Sequence, residues 1–180
     1  IDIDPSSINK IVKVDLSIVG DVAEVIKYTT KTLKKKNLNL DKSNKQKISK
    51  WWQQIEKWRT KQSLDYINSE TVIKPQYAVQ RLYELTKSQD TYITTEVGQH
   101  QMWAAQHYKF KKPNRWMTSG GLGTMGYGLP AAVGVQIAHP KKLVIDIAGE
   151  ASILMTMQEI STAVQYNLPI KIFILNNQYM

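Results

Sequence analysis

Glu150 and Asn177 are the side chains best suited to chemistry in this chain of 180 residues, and each stands just beyond a short apolar run. Leu143 to Ala148 is rich in β-branched residues and is followed by Gly149-Glu150-Ala151-Ser152, while Ile170 to Leu175 is followed by Asn176-Asn177. A carboxylate and an amide oxygen are hard ligands suited to Mg2+. A helix opening at Ser152 turns its free N–H groups and positive dipole end toward the same place, which favours a phosphate group. Glu150 also reads as an ordinary acid at a helix start, and the Asn pair as a strand-end turn. Taken by themselves, the two residues leave both readings open.

Two further stretches have polar groups placed for binding. Thr91 to Thr95 reads as a strand, and it delivers Glu96-Val-Gly-Gln-His100 to the start of a helix over 101–107. Gln99 and His100 there can donate hydrogen bonds to a diphosphate, although a histidine at such a place is equally a cap or a satisfied surface residue. Gly120-Gly-Leu-Gly-Thr-Met-Gly-Tyr-Gly128 is too rich in glycine for regular structure and leads into a helix of small residues from Leu129. Such a loop suits close approach to a ligand ring, or close helix packing with no ligand at all.

These groups must be positioned by a parallel sheet. Strand 143–148, a helix over 152–166 with Leu154, Met157, Ile160, Ala163 and Val164 as its apolar stripe, and strand 170–175 form a βαβ unit with two parallel neighbours. Glu150 and Asn177 then share the carboxyl edge of one sheet, where open α/β sheets bind ligands. Earlier in the chain, alternating Val12, Val14, Leu16 and Ile18 predict a half-exposed strand, and Gly20-Asp21 a turn into a helix over 22–33. Residues 32–50 are a composition break poor in apolar residues. A helix over 48–64 carries Trp51, Ile55 and Trp58 on one face, and Pro75 opens a helix whose buried stripe is Ala78, Leu82 and Leu85. The predicted organisation is the end of a Rossmann-like domain over 1–35, a Lys/Asn-rich linker and Trp-bearing helix over 36–70, and a parallel-sheet α/β domain over 71–180.

Composition narrows the function classes. There is no cysteine, which excludes disulfide and thiolate metal sites and fits a reducing cytoplasm. No apolar run approaches the roughly 18 to 20 residues that span a bilayer, so no membrane partner is expected. The formal charge is +9, but nine lysines between Lys27 and Lys50 against the single acid Asp41 supply much of it. Arginine is scarce and no nucleic-acid module signature accompanies the cluster, so a solvated face is expected rather than nucleic-acid binding. The chain opens on Ile1 and ends just past Asn177, and it reads as an internal stretch of a longer protein.

Gly149-Glu150-Ala151, twenty-four intervening residues and Asn176-Asn177 resemble the thiamine diphosphate signature Gly-Asp-Gly…Asn-Asn. Ser119-Gly-Gly-Leu-Gly-Thr-Met-Gly-Tyr-Gly-Leu-Pro-Ala-Ala132 and Thr95-Glu-Val-Gly-Gln-His-Gln-Met-Trp103 resemble the large, catalytic subunit of acetolactate synthase. The resemblance covers nearly the whole chain and implies a thiamine diphosphate-binding domain. It places the diphosphate against Gln99, His100, Gly149, Ala151 and Ser152, the aminopyrimidine on the Gly123 carbonyl, and Met125 beneath the bent cofactor. Mg2+ falls to Glu150, Asn177 and the Tyr179 carbonyl, and FAD to Asp2, Ile3, Asp21 and Val22. It also implies carboligation of pyruvate with a second 2-oxo acid, a homo-oligomer with active sites at the interface, and a small regulatory subunit. The activating glutamate of the family comes from a domain that no residue here matches, so the 180 residues alone are expected to be inactive. Glu150 departs from the family's Asp, and its extra methylene must be absorbed within the tight octahedral geometry of Mg2+. The rival readings are another enzyme using the same cofactor (pyruvate oxidase, glyoxylate carboligase or a 2-oxo acid decarboxylase) and a basic binding module with a decayed site.

Overall fold

The computed structural model describes residues 1–36, 42–61 and 64–179, and the chain divides into two compact units, 1–63 and 64–180. Part of the predicted composition break, with Asp41, lies outside the described residues, as does Met180.

In the first unit Asp4 caps a single 3-10 turn, Pro5–Ser7, and Asp21 caps helix α1 (Val22–Lys35) by accepting from the N–H groups of Ala23 and Glu24. The strand predicted over 12–18 is absent. Alternation alone does not make a strand without a neighbour to pair with, and here only the isolated parallel bridge Asp2↔Val19 forms. Ile11, Val12 and Leu16 stay exposed. Helix α2 (Lys42–Arg59) begins earlier than its apolar residues suggest; Trp51 and Trp58 meet edge to face at 5.4 Å, as one helix face requires. No described residue of this unit is buried.

The second unit is built on four parallel strands. They are β1 (Thr91–Thr95), β2 (Trp116–Thr118), β3 (Leu143–Gly149) and β4 (Lys171–Leu175), in the spatial order β2-β1-β3-β4. β3 pairs on both sides, which is why Val-Ile-Asp-Ile-Ala-Gly is buried throughout, whereas β4 lies at the edge and is only partly covered. Side chains alternate across the sheet. Ile93, Ile145 and Ile147 pack on one face against Val79 and Tyr83 of α3 (Pro75–Thr86) and Ala104 of α4 (Gln99–His107). Tyr92, Val144 and Ala148 face the other way, against Ala132 and Leu129 of α5 (Gly128–Ala138) and Ile153. Helices on both faces make this a doubly wound α/β fold.

Two sequence expectations need correction here. The buried stripe of α3 is Val79, Tyr83 and Thr86, one position on from the predicted Ala78, Leu82 and Leu85; Leu85 is exposed and Leu82 half-buried. The single helix expected over 152–166 is two short ones, α6 (Glu150–Leu154) and α7 (Glu159–Gln165), joined by a turn through Met155–Gln158. The break rotates the apolar positions apart, so Leu154, Met157, Ile160 and Val164 are exposed and only Ala163 of the predicted stripe is buried. At the amino edge of the sheet Asp90 accepts from Arg115, Lys112 and Lys142, and the Arg115 guanidinium holds its carboxyl well below the ordinary carboxylate range. Among the described residues no helix is long and apolar enough to cross a membrane.

Candidate cofactor site at the carboxyl edge

Strand order fixes where a ligand can enter. The chain leaves β1 toward β2 on one side and returns to β3 on the other, so the switch point of the sheet lies between the carboxyl ends of β1 and β3. A cavity of about 320 Å3 opens at that end, and segments following all four strands line it. Val97 to His100 and Trp103 follow β1, Met125 follows β2, Gly149 ends β3 with Glu150 to Ser152 after it, and Leu175 ends β4 with Asn177 and Tyr179 after it. Gln99, His100, Met125, Gly149, Glu150, Ala151, Ser152, Asn177 and Tyr179, all singled out in the sequence, therefore meet at one cavity. Gly123 does not line it. It takes a positive φ of 67°, beside Val97.

Glu150 and Asn177 converge. The Tyr179 N–H donates to Glu150 Oε1 at 3.1 Å and to Asn177 Oδ1 at 3.0 Å, so both oxygens border one point. Among the described residues no three His, Cys, Asp or Glu side chains gather as a metal site, here or elsewhere. This carboxylate and this amide oxygen are hard donors of the kind that suits Mg2+.

His100 is buried, and its Nε2 has no partner. The ring is seated between two glycines: a Cβ at Gly98, where φ is +151°, would lie 2.8 Å from its Cε1, and one at Gly149 would lie 2.9 Å from its Nδ1. Burial lowers its pKa, with a hydrogen bond donated by the ring to the Glu96 main-chain carbonyl and the Glu150 charge acting the other way. A buried, orphaned ring nitrogen at the wall of a cavity is a group that needs a polar ligand. Ser152 is placed differently from the expectation of a free N-terminal donor. Its hydroxyl donates to the Gly149 carbonyl and accepts from the Gly149 N–H, both at 3.1 Å, and so closes the first turn of α6. α6 has only five residues, which leaves little dipole behind it.

In the first unit the bridge sets Asp2 beside Val19, with the Gly20 N–H donating to the Asp2 carbonyl at 2.9 Å. Asp2, Ile3, Asp21 and Val22 are thus drawn to the same end of one parallel bridge. The Asp2 carboxylate accepts from the Asp4 N–H, and that of Asp21 is occupied as the cap of α1.

Two buried acids escaped the sequence reading. Glu96 is fully buried and accepts from Gly126 N–H at 2.6 Å and Leu129 N–H at 3.0 Å, tying the glycine-rich segment to the end of β1. Asp146 sits within β3 and accepts from the Thr94 hydroxyl at 2.9 Å, while its Oδ2 has no partner. An acid inside an otherwise apolar run was the available signal for Asp146. Glu96 offered none, because an acid after a strand is commonplace. Burial, reinforced by nearby Glu96, pushes the Asp146 carboxyl up to about 7 from an ordinary 3.8. Between those values the folded chain keeps a proton that the unfolded chain has released. Stability is therefore expected to fall as pH rises through this window, by up to about 1.4 kcal/mol per pH unit. Asp146→Asn should flatten that slope in urea unfolding at about pH 5 and about pH 7; an unchanged slope would place the titration elsewhere.

Comparison with known proteins agrees with this geometry. Residues 96–180 match the family described as thiamine pyrophosphate enzyme, C-terminal TPP binding domain. The chain is 50% identical over 182 aligned residues to the acetolactate synthase isozyme 3 large subunit of Escherichia coli, covering 100% of this chain and 31% of that protein. It is 45% identical over 180 residues to the acetolactate synthase large subunit of Haemophilus influenzae, and 46% identical over 179 residues to that of Porphyra purpurea. These alignments cover 100% and 99% of this chain, but 30% and 29% of the two relatives, so the chain spans about a third of the length of the curated proteins it matches. With its parallel sheet and its cavity at the switch point, the chain carries over residues 96–180 a match to the thiamine pyrophosphate-binding domain and is similar throughout to the acetolactate synthase large subunit.

Proposed function

We propose that this chain is the cofactor-binding part of an acetolactate synthase, which joins pyruvate to a second 2-oxo acid with loss of CO2 to give an acetohydroxyacid, a step of valine, leucine and isoleucine synthesis in the cytoplasm. The observation that carries this reading is the convergence of Glu150 and Asn177 on one point at the cavity mouth. Thiamine diphosphate, when bound, supplies the carbanion chemistry, and the protein supplies position and electrostatics. Glu150, Asn177 and the Tyr179 carbonyl hold Mg2+. Gln99 and His100 bind the diphosphate, along the backbone of Gly149, Ala151 and Ser152. Met125 and the Gly123 carbonyl position the aminopyrimidine.

Residues 1–35 are the end of the domain that carries FAD, with Asp2, Ile3, Asp21 and Val22 beside the nucleotide, residues 36–70 are a linker, and 71–180 belong to the thiamine diphosphate domain. The working form is a homo-oligomer associated with a small regulatory subunit.

Calorimetry on the full-length protein tests the reading. Thiamine diphosphate should bind only with Mg2+ present, and pyruvate should then yield acetolactate. Binding without acetolactate would move the assignment to another enzyme of the same cofactor, and no binding would remove it. Residues 1–180 alone are expected to form no acetolactate, since none of them matches the glutamate that activates the aminopyrimidine.

A further inference from the structure

We propose that Glu96 is the positioning residue of this site, holding two walls of the cavity from one buried point at the end of β1. Its carboxylate takes the N–H groups of Gly126 and Leu129 at 2.6 and 3.0 Å, where the chain turns into α5. Helix starts leave such N–H groups without partners, and an acid there also meets the positive end of the dipole. Among the described residues no cation pairs with Glu96, so these two donors and the helix end are what offset the burial of the acid.

What Glu96 fixes is more than a helix. Met125, a wall of the cavity, immediately precedes Gly126, so its backbone cannot shift without disturbing the 2.6 Å bond. On the other side the Glu96 main chain hydrogen-bonds the ring of His100, whose unpartnered Nε2 is at the same cavity. The glycine-rich segment has few other ties. The Thr156 hydroxyl donates to the Gly126 carbonyl at 3.0 Å, the Ser119 hydroxyl accepts from the Thr124 N–H at 3.0 Å, and Gly120 and Gly121 stay exposed. Neither tie carries charge, and charge-assisted hydrogen bonds are about twice as strong as neutral ones.

The inference rests on the thiamine diphosphate reading, and its test separates the two. Glu96→Gln keeps the shape but presents one carbonyl oxygen and an NH2, so one of the two N–H groups faces another donor. In the full-length, cofactor-free protein, amide exchange at Gly126 and Leu129 should quicken about tenfold while that of β3 is unchanged, as loss of one charge-assisted bond implies. Mg2+-dependent thiamine diphosphate affinity, measured by calorimetry on the same variant, should weaken about tenfold as well. Glu96→Asp, which keeps the charge but has a shorter reach, should fall between wild type and Gln in both measurements and serves if the Gln variant does not fold. Faster exchange with affinity within about twofold of wild type would reduce Glu96 to a helix cap and overturn the proposal, as would unchanged exchange. Wild-type protein that fails to bind the cofactor would overturn the functional reading, and with it the role of Glu96 in cofactor placement.

Discussion

Gly128→Val is expected to leave the sheet unit unable to fold, and Gly128→Ala to weaken it severely. A Cβ at this position would lie 2.4 Å from Asp146 Oδ1, 2.6 Å from the Glu96 nitrogen and 2.8 Å from the Thr95 carbonyl carbon. Two of the three obstacles are the backbone of β1 and its continuation, and the third is a fully buried side chain, so nothing nearby is a flexible tip that can move aside. Overpacking a core with one methyl typically costs about 1–3 kcal/mol, and a rigid surround places Gly128→Ala at or above the top of that range. Against a total stability of about 5–15 kcal/mol, the two further methyls of valine remove most of what is available. The same helix supplies its own control. A Cβ at Gly134 meets nothing within 4 Å, so Gly134→Ala should gain up to about 1 kcal/mol from helix propensity alone. Thermal unfolding of the full-length protein reads both: about 1 kcal/mol moves the midpoint by about 2–4 °C in domains of this size, downward by several such steps for Gly128→Ala and upward by one for Gly134→Ala. Equal shifts of the same sign would mean that α5 does not sit against β1 and β3 as described.

The contrast between these two glycines also marks what the sequence could reveal. Both stand in the same run of small residues, and only the approach of α5 to the sheet distinguishes them. The strands β1, β3 and β4 were legible because each is an apolar, β-branched stretch ended by polar residues, and their common direction placed Glu150 and Asn177 on one edge. β2 was not legible: three residues between a basic loop and a glycine-rich one carry no period, and they become a strand only because β1 offers Ile93, Thr94 and Thr95 as partners. The alternation over 12–18 misled for the opposite reason, having the right period and no partner. The helix expected over 152–166 failed because spacing suits any continuous helix, whereas the break at 155–158 is set by the turn beneath Gly126, where Thr156 bonds to the Gly126 carbonyl. Glu96 lay beyond reach because burial of an acid depends on who covers it, whereas Asp146 was marked by standing inside an apolar run.

The second large effect is expected at Glu150, where the sign of the change depends on the metal. Glu150 Oε1 and Asn177 Oδ1 already accept from one nitrogen, that of Tyr179. If Glu150 binds Mg2+, Glu150→Gln removes the one charged ligand of the set. Mg2+-dependent affinity for thiamine diphosphate should then fall on the order of 100-fold or more, beyond the 10–100-fold typical of residues that only orient a ligand. Without the metal the same carboxylate faces the like charge of a diphosphate, and like charges a few ångströms apart repel. Residual binding in a chelator should accordingly stay level or improve in Glu150→Gln. A residue that merely caps α6 would show no such reversal, since loss of a cap weakens the site with or without metal. Glu150→Asp keeps the charge and shortens the arm by one methylene. It should remain within about tenfold of wild type in Mg2+, provided the turn after β3 can follow the ion toward it. Asn177→Ala supplies the last constraint: it deletes the neutral oxygen and should weaken Mg2+-dependent binding without changing binding in chelator, because no charge leaves the site. Parallel losses for Gln and Ala in both conditions would mean that these residues hold the strand ends together and that the ion, if present, sits elsewhere.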